Sequence, residues 1–180
     1  MKKLIFLGLF LFSAGCVGIP GDLKAVDGFD INKFTGTWYE IIRLDNKFEK
    51  GLTNVSATYT LRKDGGIDIV NNGFNIDTKK WVSVKGKAYF VSSPGTGRLK
   101  VSFSWPFYTG YNIIFLDKEN YSYALVCGNN KSYFWILARD MALSIDRANE
   151  LIDVARNLDF DVDKCVIVDQ DIVFKRGYFK

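Results

Sequence analysis

The amino-acid sequence predicts an all-β protein, an eight-stranded up-and-down antiparallel barrel with one C-terminal α-helix packed outside and a short ninth strand. Eight short runs of β-type residues follow one another, turn residues separate them, and a helical pattern comes only after the eighth run. Eight strands close into a barrel wide enough to hold one small ligand. The length of 180 residues suits a single domain of this kind.

The first fifteen residues have the pattern of a secretory signal peptide. Lys2 and Lys3 precede an apolar run over residues 4–12, and small residues follow it at 13–15. The apolar run is too short to span the hydrocarbon core of a membrane as a helix. We therefore exclude residues 1–15 from the fold. Without them, lysine and arginine exceed aspartate and glutamate by only 22 to 20.

Cys16 directly follows the proposed cleavage point. The sequence Ser13-Ala14-Gly15-Cys16 resembles the lipobox of bacterial lipoproteins, in which the cysteine is acylated and becomes the mature N-terminus. Val17 after it resembles lipoproteins sorted to the outer membrane, and an ordinary signal peptide with a chance cysteine is the alternative. We expect a lipid anchor at Cys16, a Gly- and Pro-containing spacer over residues 16–33 and the barrel domain over residues 34–175.

Gly, Asn and Asp fill the gaps between the β-type runs. These residues tolerate the positive φ that tight hairpin turns need, which predicts antiparallel neighbours throughout. The predicted strands are 37–44, 55–61, 67–72, 81–90, 99–105, 111–116, 121–127 and 133–139.

A helical stripe follows the eighth run, and Ser144 is its candidate N-cap. Its apolar face contains Ala148, Leu151, Ile152, Ala155 and Leu158. We expect this face to pack on the outside of the barrel, and a helix that binds a partner is the alternative. Residues 166–168 are the predicted ninth strand.

Composition excludes several classes of function. The chain contains no histidine, so Ser-His-Asp and Cys-His catalysis and His-ligated zinc or haem are ruled out. Three cysteines are too few for a four-thiolate metal site. No cationic stripe of the kind that binds nucleic acid is present. We expect no metal, no cofactor and no nucleic-acid partner.

Alternation within the strands predicts which side chains face the inside of the barrel. Large apolar or aromatic residues alternate with polar ones, and this parity directs Tyr59, Phe103, Trp105 and Trp135 inward. Asn71 would add amide hydrogen bonds. A lining rich in aromatic rings with a few polar atoms is typical of a cavity that holds an apolar ligand. Aromatic filling of a packed core is the alternative.

Two motifs about a hundred residues apart resemble the lipocalin family. Gly36-Thr37-Trp38 is similar to the family's Gly-x-Trp signature, and Arg139 at the end of residues 135–139 is similar to its third motif. Residues 85–90, 106–108 and 123–128 further resemble the bacterial branch of the family, whose members are outer-membrane lipoproteins related to apolipoprotein D. The resemblance covers about residues 29–170 and implies the lipocalin barrel.

The resemblance also implies that Arg139 packs across Trp38 at the closed end of the barrel. A guanidinium over an indole gains cation–π attraction and excludes water, so we interpret Gly36, Trp38 and Arg139 as structural. Glu40 shares the parity of Trp38. Because a lone buried carboxylate is costly, Glu40 should find a partner or lie near the open mouth.

For function, the resemblance implies a binding protein and not an enzyme. The expected ligand is a fatty acid or lysophospholipid, bound for maintenance of the bacterial envelope. The expected location is the outer membrane, with a lipid anchor and the domain facing the periplasm. A lipid-modifying enzyme on the same scaffold and a structural lipoprotein without a ligand are the alternatives. The sequence leaves open a homodimer and a disulfide between Cys127 and Cys165.

Overall fold

The computed structural model describes residues 17–21 and 23–170. The predicted signal peptide and Cys16 lie outside the described residues. The strands are β1 Gly36–Leu44, β2 Leu52–Leu61, β3 Ile67–Asn75, β4 Lys80–Phe90, β5 Arg98–Ser104, β6 Phe107–Leu116, β7 Tyr123–Cys127, β8 Phe134–Ala138 and β9 Cys165–Ile167. The α-helices are α1 Ile31–Phe34 and α2 Ile145–Asn157. Within the described part of the chain, no helix is long and apolar enough to cross a membrane.

The eight strands form a closed antiparallel barrel, as predicted. Each strand from β1 to β7 pairs with the next along the chain, and β8 pairs with β1 to close the ring. Trp38 lies opposite Ala57 on β2, and Tyr39 lies opposite Ala138 on β8. The short strand β9 continues the sheet beside the second half of β1, outside the ring of eight.

Apolar side chains collect in two separate clusters. The inner cluster fills the half of the barrel nearer the start of β1, with residues such as Trp38, Ile67 and Val126. The outer cluster lies between the barrel wall and α2, where Leu151 and Ala155 of the helix are buried. Ser144 caps the helix by accepting a hydrogen bond from the Arg147 amide at 3.3 Å. The predicted helix and its position outside the barrel are therefore confirmed.

The segment predicted as a spacer lies against the barrel over much of its length. The Val26 amide donates to the Ile113 carbonyl at 2.9 Å, and the Phe29 amide donates to the Gly95 carbonyl at 2.9 Å. Phe29 and Phe34 enter the inner cluster, and α1, which ends at Phe34, covers the end of the barrel just before β1 begins. Glycine and proline in this segment suggest a linker, but Phe29 within it and Phe34 directly after it bury apolar surface that holds it in place.

The two cysteines of the described chain are free thiols. Strands β8 and β1 separate β7, which carries Cys127, from β9, which carries Cys165. Three strand spacings amount to about 14 Å, whereas a disulfide requires Cα atoms within about 7 Å. Burial raises the pKa of Cys127 to about 12 and that of Cys165 to about 11, so both are poorly reactive.

Candidate functional site

The closed end of the barrel is built around Arg139 and Trp38. The Arg139 guanidinium carbon lies 4.1 Å from the centroid of the Trp38 ring. The guanidinium also donates to the carbonyls of Lys33, Phe34, Thr35, Thr37 and Tyr121 at 2.7 to 3.3 Å. Arg139 therefore ties α1, the start of β1 and the end of β8 into one closure.

Gly36 is required at this closure for two reasons. Its φ of 94° lies in the region that favours glycine. A Cβ atom at this position would stand 3.2 Å from Nη1 of Arg139. A larger residue would therefore strain the backbone and push the guanidinium away from Trp38.

Two tyrosines form the floor of the space above this closure. The hydroxyls of Tyr59 on β2 and Tyr111 on β6 are 2.7 Å apart. Because β2 and β6 lie on opposite sides of the eight-stranded ring, this hydrogen bond crosses the lumen. Burial raises the pKa of both phenols, and each is therefore neutral. The Tyr59 ring also packs on Phe34, which joins the floor to the closed end.

A polar cluster occupies the wall above the floor, where β1 meets β8. Arg43 donates to Oε1 of Glu40 at 2.7 Å, and both side chains are buried. Arg43 also donates to the Glu49 carbonyl at 2.8 Å, while Nε1 of Trp135 donates to the Glu49 carboxylate at 3.0 Å. The loop over residues 45–51 is thereby held against the wall.

Glu40 is the most perturbed acid of this cluster. Burial raises its pKa well above the usual range, the nearby Glu49 charge raises it further, and Arg43 partly opposes both effects. The partner that the sequence required for Glu40 is thus Arg43, three residues along the same strand. A bulge between Glu40 and Ile42 brings the two side chains to one face.

The opposite wall of the lumen is apolar and open. Val82 and Val84 share the face of β4 that carries the buried Ala88, yet both are exposed. Phe103 lies over Gly86 and is 43% exposed; a Cβ atom at Gly86 would stand 2.7 Å from its ring. These side chains are accessible on the part of β4 and β5 that lies toward the open end of the barrel.

Asn71 adds a polar atom to this apolar wall. It lies opposite Val84 on β4 and Ala57 on β2. Its Oδ1 atom is buried and has no hydrogen-bond partner among the described residues. A buried acceptor without a partner costs free energy.

Four of the five sequence-predicted ligand residues therefore lie around one lumen. Tyr59 is in the floor, Trp135 is in the polar wall, and Asn71 and Phe103 are in the apolar wall. The structure does not bring Trp105 to this lumen. A bulge between Val101 and Ser104 breaks the alternation, so Trp105 falls on the turn after β5 and is 82% exposed.

Sequence reasoning missed several lumen residues. Tyr111 and Val84 could have been found from the same alternation that identified Tyr59 and Phe103. Arg43 and Glu49 could not have been found in this way. The inward position of Arg43 depends on the bulge in β1, and that of Glu49 depends on the conformation of the loop over residues 45–51. No group of three potential metal ligands occurs within residues 17–21 and 23–170.

The family model of the lipocalin-like domain matches residues 29–170. The chain belongs to the lipocalin family. Outer membrane lipoprotein Blc of Escherichia coli is 48% identical over 151 residues, covering 84% of this chain and 85% of the relative. Outer membrane lipoprotein Blc of Vibrio cholerae is 42% identical over 170 residues, covering 94% and 99%.

Solved lipocalin structures share the fold. The cockroach allergen Per a 4 superposes with a TM-score of 0.67 at 21% identity, covering 87% of this chain and 98% of its own. The bacterial relatives, by contrast, are outer membrane lipoproteins, and they confirm the outer-membrane, lipid-anchored location predicted from the sequence.

Proposed function

We propose that this lipocalin binds a fatty acid or lysophospholipid in its barrel while acyl groups on Cys16 hold it at the outer membrane, with the domain facing the periplasm. The observation that carries the proposal is the exposed apolar face above the Tyr59–Tyr111 floor, formed by the side chains of Val82, Val84 and Phe103. Exposed apolar surface inside a barrel is stabilised when an apolar ligand covers it.

A single acyl chain suits this space. Burying it against the apolar wall contributes about 0.8 kcal/mol per CH₂ before ordering costs. The floor limits how deep the chain can reach, because the two phenols are joined across the lumen. An eight-stranded barrel encloses too little space for a two-chain phospholipid.

The lumen offers few polar partners to the polar end of the ligand. The unpartnered Oδ1 atom of Asn71 accepts a hydrogen bond from a ligand hydroxyl or protonated carboxyl. On the other wall, Arg43 is already engaged by Glu40 and Glu49. Since this guanidinium is already paired, we expect selection for the tail over the headgroup.

Membership of the lipocalin family supports a binding protein over a lipid-modifying enzyme. The half-exposed wall argues against a filled structural barrel, since a filled barrel would bury Val84 and Phe103. A filled structural barrel would show no stoichiometric lipid binding in a ligand titration, whereas an enzyme would bind the lipid and return it chemically altered.

Phe103→Ala is expected to weaken fatty-acid binding by about 1–3 kcal/mol, because it removes a ring from the apolar wall. Tyr108→Ala is the matched control. Tyr108 packs on the outer face of the barrel, where Lys100 lies over its ring. Calorimetric titration of both variants with a long-chain fatty acid makes the comparison. Equal affinities for the two variants would place the ligand away from this wall.

Cys16→Ser is expected to release the mature protein from the membrane fraction into the soluble periplasmic fraction. Several acyl chains together anchor a protein far more firmly than one. Fractionation followed by immunodetection measures the distribution, and Cys165→Ser serves as the control that should stay with the membrane. Retention of the Cys16→Ser protein in the membrane fraction would contradict the tether.

A further inference from the structure

Exposed apolar side chains surround the open end of the barrel. Strands β1, β3, β5 and β7 end there, and β2, β4, β6 and β8 begin there. We call the following residues the rim: Phe48, Ile76, Trp81, Trp105 and Phe107. Trp105 is 82% exposed and Phe107 is 67% exposed, and they occupy neighbouring positions on the β5–β6 hairpin.

The composition of the rim is typical of a surface that meets lipid headgroups. Tryptophan and phenylalanine are enriched at membrane interfaces, where lysines flank them. The Lys47 ammonium lies 5.1 Å from the Phe48 ring, and Lys79 and Lys80 stand between Ile76 and Trp81 in the sequence. Apolar patches of this kind mark interaction surfaces in soluble domains.

The N-terminal segment runs toward the same end. Phe29 is hydrogen-bonded to Gly95 in the loop at the closed end, and Val26 is bonded to Ile113 further up the wall. The side-chain amide of Asn112 donates a hydrogen bond to the Gly18 carbonyl at 3.2 Å. The same nitrogen donates at 3.0 Å to the carbonyl of Gly128, just beyond the end of β7. Going backward along the chain, the backbone therefore approaches the open end.

Cys16 lies only two residues before Gly18. Two residues span at most about 7 Å. Gly18 also contacts β6 at Gly110, where a Cβ atom would stand 2.5 Å from the Gly18 carbonyl oxygen. Gly110 is three residues, or about 10 Å, from Phe107 in the rim. An anchor at Cys16 therefore holds the rim close to the membrane surface.

We propose that the rim rests in the lipid surface to which Cys16 is anchored, so that the mouth of the barrel opens onto the membrane. This inference rests on the tether of the proposed function. The partner is a phospholipid surface, because the anchor brings that surface to the rim and the flanking lysines suit phosphate headgroups. A single-chain lipid then passes between the bilayer and the lumen without crossing bulk water.

The test uses the acylated mature protein reconstituted in vesicles of phosphatidylethanolamine and phosphatidylglycerol with brominated acyl chains. Bromine quenches tryptophan emission only at short range. We expect the bromine to quench tryptophan emission in the parent protein. In Trp105→Phe, the share of this quenching that comes from Trp105 should be lost. Iodide in the water phase should quench Trp105 in solution and lose access to it on the vesicles.

A second measurement follows uptake of a fluorescent fatty acid from the same vesicles. Trp105→Ser combined with Phe107→Ser should slow uptake while leaving affinity in solution unchanged. Met141→Ser combined with Ile145→Ser is the matched control, because both residues are exposed but lie away from the open end. The control should take up the probe as fast as the parent.

Identical bromine quenching of the parent and Trp105→Phe would overturn the proposal. Protection of Trp105 from iodide that depends on protein concentration and not on lipid would also overturn it, in favour of a second copy at the rim. Bromine quenching of Trp105 without uptake of the fatty acid would contradict the proposed ligand but would support contact between the rim and the lipid surface. If Cys16 carries no acyl groups, the tether of the proposed function is wrong. The same quenching assay on the soluble chain then tests whether the rim contacts lipid, and no bromine quenching of Trp105 would overturn the proposal.

Discussion

Arg43→Met is expected to lower the free energy of unfolding by about 3–5 kcal/mol in mildly alkaline buffer. The substitution leaves the buried Glu40 carboxyl without its 2.7 Å partner. It also removes the donor to the Glu49 carbonyl that holds the loop over residues 45–51. Urea unfolding followed by circular dichroism measures the change.

Two further variants decide whether the buried pair is the cause. Glu40→Gln combined with Arg43→Met removes both charges and should recover part of the loss. Arg62→Met breaks exposed ion pairs with Asp64 and Asp68 and should cost less than about 1 kcal/mol. A loss in Arg43→Met no larger than that in Arg62→Met would contradict the role assigned to the polar cluster.

The effect of Arg43→Met should grow as pH rises. The folded-state pKa of Glu40 is raised, mainly by burial and then by Glu49. The folded state therefore prefers the protonated carboxyl. The resulting stabilisation is complete below the ordinary carboxyl pKa and is lost as pH rises toward the raised value. Removing Arg43 takes away the effect that lowers this pKa, so the variant should lose stability more steeply with pH than the parent.

Arg139→Ala is expected to lower the free energy of unfolding by about 2–4 kcal/mol. It removes the guanidinium from the Trp38 ring and leaves the carbonyls at the closed end without their charged donor. Fatty-acid affinity should change less, because Arg139 lies below the floor made by Tyr59 and Tyr111. Thermal and urea unfolding, followed by a ligand titration, separate the two effects.

Arg147→Ala is the matched control for this prediction. The Arg147 guanidinium lies 4.8 Å from the Tyr123 ring, but its side chain is exposed on α2 and is paired with Glu150. An exposed cation–π contact of this kind contributes about 0.5–1 kcal/mol. Equal losses in Arg139→Ala and Arg147→Ala would show that the closure depends on something other than the guanidinium.

Much of the fold follows from local patterns in the sequence. Turn residues separate the strands clearly, and the apolar stripe from Ala148 to Leu158 identifies α2 because its period differs from that of the strands. Strand ends are less predictable. Strand β6 begins at Phe107 although residues 107–110 lack the alternation of a strand, because pairing with β5 extends the hairpin to its turn.

The site is predictable only where alternation is regular. On a regular strand, residues three apart face opposite sides, so the sequence does not identify Glu40 and Arg43 as partners. The bulge that unites them, and the bulge that moves Trp105 to the turn, arise from pairing with neighbouring strands. The first bulge has no glycine or proline beside it, and Pro106 near the second also suits an ordinary turn, so neither bulge has a local signal.

Calorimetric titration of the delipidated Cys16→Ser protein with a long-chain fatty acid tests the central claim most directly. We predict saturable binding of a single fatty acid per barrel with micromolar or tighter affinity, accompanied by a change in Trp135 emission. A two-chain phospholipid in the same titration should produce no saturable heat. Absence of fatty-acid binding by both heat and tryptophan emission would contradict the claim that the lumen above the tyrosine floor is a lipid site.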